Sequence, residues 1–439
     1  VIHLKGMTWS HPRGYDPLVA CSEIWRRRSG VNITWEQRSL QDFESFPVME
    51  LANRYDLIVI DHPHVGQVTE EKCLLPLDVT GRATERTVLE AASVGPSYLS
   101  YRWNGRQWAF PIDAATQVQA FRPDRLAQAP SEFTEVMELA RRGRVALPLR
   151  PPHSLMLFYT LAAHLGQPCG IERSRFVDAE TGLEVWRRIR ELAELIDPAD
   201  LDRDPIAVFE RMVDDASEID CVPFIYGYVS YAQTAFRRRL IRFANIPTIG
   251  SRKPIGAALG GTGIAVSAKT PHAMHAIDFA YWVASAEVQR GPYAAAGGQP
   301  GHASAWDDPV VNSATAEFYR STRATLEGSY VRPRYNGYMA FQAAASERIN
   351  SAVRARENGL ALIGDLNRLF EADLPIEPKE AGCSGHEERR PISSQPVRNS
   401  AIRPCSSADA RAGLLRSARC PSPAGSESRG GRRRFQGHE

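Results

Sequence analysis

Hydrophobic and polar positions along the first 374 residues follow two alternating patterns. Short apolar runs at 2–7, 32–38 and 55–60 read as strands. Amphipathic stretches at 18–28 and 40–53, with apolar residues every three to four positions, read as helices. A β-α-β-α-β series of this kind predicts a mostly parallel sheet with helices on both faces. The third run, from Leu57 to Ile60, is apolar throughout, as expected for a strand buried on both sides, and it turns polar abruptly at Asp61-His62-Pro63-His64. Ligands of open α/β sheets bind beyond the carboxyl ends of such strands. Asp61, His62 and His64 are therefore candidate ligand contacts. Trp9, Ser10, His11, Arg13 and Tyr15 follow the first strand in the same way. Two polar and aromatic loops at neighbouring strand ends predict a pocket wall in which an indole supplies apolar area and nearby donors and acceptors fix orientation.

Further along, 102–111 reads as a hairpin on an Asn104-Gly105 turn, followed by a strand over 112–121. Helices are predicted over 131–142, 153–165 and 180–196, and strands over 145–149 and 219–223. The segment 255–268 contains Gly260-Gly261-Thr262-Gly263 leading into an apolar strand. Helices then fill 271–286, 308–325, 338–356 and 361–372. No internal repeat is present.

The length of 439 residues suits two or three domains, and 43% hydrophobic residues suffice for sizeable cores. No apolar run is long enough to span a membrane. The first residues carry no charged-then-apolar leader and enter a strand almost at once. Residues 375–439 differ from the rest: rich in Arg, Ser, Pro and Gly, they hold 12 basic and 7 acidic residues, against 41 and 44 in 1–374. A basic tail can serve as a nucleic-acid or membrane arm. Its scattered charges and near absence of aromatics point instead to a disordered basic extension, with no nucleic-acid partner expected. The seven cysteines (21, 73, 169, 221, 383, 405, 420) form no C-x-x-C pair, which argues against a zinc or redox motif.

The chemistry of the remaining motifs is that of binding. The glycine-rich 260–263 lacks the Lys-Ser/Thr of a phosphate loop and does not open a helix. No G-x-S-x-G elbow occurs, and no cofactor is expected. His62-Pro63-His64 has metal-ligand spacing, to which His11 or Asp61 could add. That leaves open a metal or metal-chelate receptor using His11, His62 and His64, or a metal-dependent hydrolase using His62 and His64. Tyr226, Tyr228 and Tyr231 follow a strand, and Arg332, Tyr335, Asn336 and Gln342 surround a helix start. Aromatic and planar polar sets of this kind suit sugar rings, whose C–H faces stack and whose hydroxyls take paired hydrogen bonds.

In this order the elements resemble the extracellular solute-binding proteins of family 1, receptors of bacterial sugar-importing ABC transporters. The resemblance spans 1–374. It rests on the 55–66 strand and its polar end, on Gly105-Arg106-Gln107-Trp108-Ala109-Phe110-Pro111 leading into a long strand, on the Gly260 to Ser267 turn and strand, and on the helical ending. It implies a two-lobed periplasmic-binding-protein fold, each lobe a mixed sheet flanked by helices and joined by hinge strands. Lobe one would take 1–111 and 262–312, and lobe two 112–261 and 313–374. Trp9, His11, Asp61, His62, His64, Asp113, Tyr226, Gly260, Gly261, Arg332 and Tyr335 would then face the cleft. The resemblance further implies a non-enzymatic, monomeric periplasmic receptor that closes on a sugar or polyol and delivers it to a membrane permease.

Overall fold

The computed structural model describes residues 1–39, 47–172, 174–250 and 252–374. The helix expected over 40–53 lies partly, and the tail 375–439 wholly, outside the described residues; within that helix span, Val48–Ala52 is helical.

Strand β1 (His3–Trp9) feeds helix α1 (Pro12–Ser29), which returns to β2 (Asn32–Arg38). Pro12 opens α1 at a position that needs no amide hydrogen, and Gly30 closes it in the left-handed region with its N–H on the Arg26 carbonyl. β3 (Leu57–Ile60) is buried at every residue. β1 pairs in parallel with both β2 and β3, as the alternating pattern predicts.

The rest of the sheet differs from the mostly parallel expectation. β4 (Leu74–Leu75) lies at its margin, and Arg102–Trp103 (β5) and Arg106–Gln107 (β6) form a separate hairpin. Asn104 and Gly105, at φ 48 and 73, supply the turn. β7 (Phe110–Phe121), β8 (Cys221–Tyr226), β9 (Arg242–Ala244) and β10 (Leu259–Ser267) complete a mixed sheet of order β2-β1-β3-β10-β7-β8. β10 is antiparallel to β3, β4 and β7, and β7 is antiparallel to β8 and β9.

β7 positions the site. All twelve of its residues are buried. Its first half, to Thr116, pairs with β10, and its second half, from Gln117, pairs with β8 and β9. One strand thus belongs to two stretches of sheet. Two hydrophobic clusters form on these frames. One contains Leu57–Ile60, Ile264 and Phe279. The other packs Phe158, Phe176, Phe341 and Phe370 among the later helices, α2 (His153–His164), α3 (Ala179–Ala193), α4 (Tyr338–Ala355) and α5 (Gly359–Asp373).

Two expected elements differ, and one helix was not expected. Residues 145–149 make only a single bridge, Val145 to Cys221, because Pro148 has no amide hydrogen and the N–H groups of Leu147 and Leu149 go to the Asp200 carboxylate and carbonyl. The helix expected over 308–325 is broken by Ala316 and Glu317 at positive φ. Pro205–Val213 is a helix that the periodicity did not reveal, although Asp204 caps it and Pro205 starts it.

Candidate functional site

A cavity opens at the carboxyl ends of β1, β3 and β8, beside the first half of β7 and the beginning of β10, near the start of α2. Trp9, Arg13, Asp61, Asp113, Tyr226, Tyr228, Gly260, Gly261 and Arg332 line it, joined by Ala115, Pro152, His153, Met156, Pro205, Thr262, Met339 and Gln342. Seven of the expected residues meet here: Trp9, Asp61, Asp113, Tyr226, Gly260, Gly261 and Arg332.

Two buried ion pairs cross its walls. Arg13, from the first turn of α1, clamps Asp113 with Nε at 2.7 Å and Nη2 at 2.5 Å, and its Nη1 donates to the Gly227 carbonyl at 2.8 Å. Both side chains are almost wholly inaccessible. Burial lifts the Asp113 carboxyl, but the two-point contact with a guanidinium that Asp113 itself holds charged keeps the pair ionised. On the opposite side, Arg332 donates from Nη2 to Asp61 at 2.6 Å, from Nη1 to Gln342 at 2.9 Å and from Nε to the Leu259 carbonyl at 3.2 Å. Burial pushes the Asp61 carboxyl up, but Arg332 and His62 outweigh it and hold it well below the usual carboxylate range. The cavity wall therefore holds two positive and two negative groups, each consumed by its partner, and is close to neutral.

Aromatic surface completes it. Trp9 meets Tyr228 edge-on at 6.0 Å, and the Arg13 guanidinium lies 4.7 Å over the Tyr228 ring. Gly260 lies under Tyr226, where a Cβ would stand 2.6 Å from the ring. Gly261, at φ +92, brings β10 against β7, where a Cβ would meet the Asp113 carbonyl at 2.3 Å.

His11, His62, His64 and Tyr335 do not line the cavity. The His11 Nδ1 accepts the Arg13 N–H at 3.1 Å, so this imidazole caps α1 and stacks on Trp9 at 5.3 Å. Burial lowers its pKa to about 3. His62 is fully buried behind Asp61, edge-on to Tyr101. Its Nδ1 lies 3.1 Å from the Asp61 carboxylate without hydrogen-bond alignment. Burial, reinforced by Arg332, lowers its pKa to about 4, so the ring is neutral at pH 7. The short helical turn His62–His64 directs both rings into the protein, and His64 is buried as well. Tyr335 packs edge-on against Tyr338 and Phe370. Among the described residues, no three His, Cys, Asp or Glu stand close enough to hold a metal ion.

His153, Pro152 and Met156 were missed because the strand expected over 145–149 is followed only by Arg150-Pro151-Pro152, without the polar and aromatic loop that marked the other strand ends. The Pro151-Pro152-His153 stop before an apolar helix was the available signal. Among the described residues, no helix is long and apolar enough to cross a membrane.

The architecture is that of a two-lobed α/β binding protein. It superposes on the maltose-bound MalE3 of T. maritima with a TM-score of 0.72 at 14% identity, covering 85% of this chain and 100% of that one. A solute-binding protein of an ABC transporter from Agrobacterium radiobacter K84, in complex with ribitol, gives 0.70 at 17% identity over 84% and 98%. Another from Thermotoga lettingae TMO, bound with α-D-tagatose, gives 0.72 at 12% over 85% and 100%. No curated protein sequence matches the chain. The model of the bacterial extracellular solute-binding proteins matches residues 48–318, and the chain belongs to that family.

Proposed function

We propose that this protein is a receptor for an uncharged carbohydrate or polyol, held between two lobes and passed to the permease of an ABC transporter on the outer side of the bacterial membrane, in the periplasm. Lobe one takes 1–111 and 262–312, lobe two 112–261 and 313–374, and the receptor acts as a monomer. The observation that carries the reading is the neutral, aromatic-lined cleft, in which Arg13–Asp113 and Asp61–Arg332 satisfy each other and leave no net charge for an ionic ligand. The cavity, of about 80 Å3, is roomy enough for more than one water molecule and hence for a small ligand. The relatives bound to maltose, ribitol and tagatose support the same class. No bond need be broken in such a site. Ligand touching both lobes favours the closed population, and closure is what the permease reads.

The metal receptor and metal hydrolase readings required His62 and His64 in the cleft, and neither lines it. Thermal denaturation with sugars, polyols and divalent metals tests the choice. Ribitol, tagatose or a related neutral ligand is expected to raise the melting temperature, by about 2.7 kcal/mol of stabilisation at a hundredfold excess over Kd. Stabilisation by zinc alone, reversed by chelator, would return the metal reading.

A further inference from the structure

The cleft's charged groups are largely engaged with one another. Arg13 and Arg332 each spend three of their five N–H donors within the protein, and Asp61 and Asp113 each accept through both oxygens. His153, the first residue of α2, lines the same cavity from the side of the later helices. Only 5% of it is exposed; its Nδ1 is sealed within the wall, while its Nε2 keeps accessible surface and makes no hydrogen bond to a described residue. An edge-on contact with Tyr226 at 6.1 Å fixes the plane of the ring. Buried polar atoms are rarely left without a partner, and one on a ligand cavity is accounted for by the ligand.

We propose that His153 is the specificity-determining residue of the later-helix wall, hydrogen-bonding a hydroxyl of the bound polyol through Nε2. The ring is held neutral: burial, reinforced by Arg150 and Arg332 against the opposing Asp204, lowers its pKa to about 4. A neutral imidazole carries one N–H and one lone pair. It complements a hydroxyl, which both donates and accepts, better than a carboxylate or an ammonium group. Trp9 lines the same cavity and adds apolar area to it. The inference rests on the carbohydrate reading and adds to it the residue that selects among neutral ligands.

The test uses the full chain and isothermal titration with ribitol, tagatose and maltose. His153→Phe keeps the ring and its contact with Tyr226 but removes both nitrogens. His153→Gln keeps a polar group near the Nε2 position. The ligand that binds the wild type is expected to bind His153→Phe about tenfold or more weakly and His153→Gln within a few fold of wild type, while the unliganded melting temperature of His153→Phe is equal or higher. Wild-type affinity in His153→Phe overturns the inference and leaves the carbohydrate reading intact. Equal weakening of both variants with a lowered melting temperature also overturns it, because the residue would then be structural. If the wild type binds none of the three, the carbohydrate reading falls and this inference falls with it.

Discussion

At the level of single residues, the site is built from pairs that stabilise only as pairs. Arg13 and Asp113 are both buried, so each holds the other charged where water cannot. Arg13→Met leaves a carboxylate in that position with only a lost partner, and is expected to lower stability by about 3–5 kcal/mol. Adding Asp113→Leu removes the stranded charge, so the double variant should recover much of the loss. Urea unfolding of the four proteins in the cycle measures this coupling, and strictly additive losses would show that the pair does not act as a unit. The same economy explains which site residues could be read from the sequence. Asp61 and Trp9 follow strands of strong pattern, so their place at a strand end was legible. His62 and His64 were equally prominent, but a short helical turn after Asp61 directs both inward, and one-dimensional spacing does not carry that direction. Arg332 was found through its company of aromatic and amide residues. Its pairing with Asp61 was not legible, because the two lie 271 positions apart.

Elements were legible where burial is one-sided or complete over several residues, and illegible where a distant group decided the hydrogen bonds. β2 follows its pattern closely, whereas the helix expected over 18–28 begins six residues earlier, at Pro12, and takes in Arg13 and Tyr15. The failed strand at 145–149 lost its amides to Asp200, a contact that no local pattern could announce. The parallel start of the sheet was visible in the alternation of strands and helices. The antiparallel insertion of β10 between β3 and β7 was not, since it depends on a chain that returns after more than a hundred residues. That crossing depends on Gly261. Its φ of +92 and the closeness of the Asp113 carbonyl leave no room for a methyl group. Gly261→Ala is expected to lower stability by roughly 2 kcal/mol or more through backbone strain and displacement of β7, and to weaken ligand binding because Asp113 and Thr262 move with it. Denaturant midpoints and titration on the same preparation check both effects. A variant as stable as wild type would mean that β10 relaxes without β7.

For the whole molecule, the buried neutral histidines make stability depend on pH in a definite direction. His11, His62 and His153 come from separate parts of the chain, and burial is the largest cause of the lowered pKa in each, to about 3, 4 and 4 against an ordinary value of 6.5. In the unfolded chain all three bind protons as pH falls through 6.5, whereas in the folded protein they stay neutral until about pH 4 or below. The unfolded state therefore holds more protons across that window, and stability falls as pH falls from about 7 to about 4. Each histidine contributes a slope approaching about 1.4 kcal/mol per pH unit once its unfolded form is charged. Buried Asp113 opposes the trend, since its carboxyl is raised in the fold, but only nearer the carboxylate range. The fall between pH 7 and 5 is thus a histidine effect. Melting temperatures recorded across that interval should decline steadily, with the unfolding transition taking up protons. His153→Phe and His62→Phe should each flatten the decline without abolishing it. A curve that is level from pH 7 to 5, or one unchanged by both substitutions, would show that these rings are already paired with water or charge in the folded state, and it would weaken the assignment of a neutral His153 to the cleft.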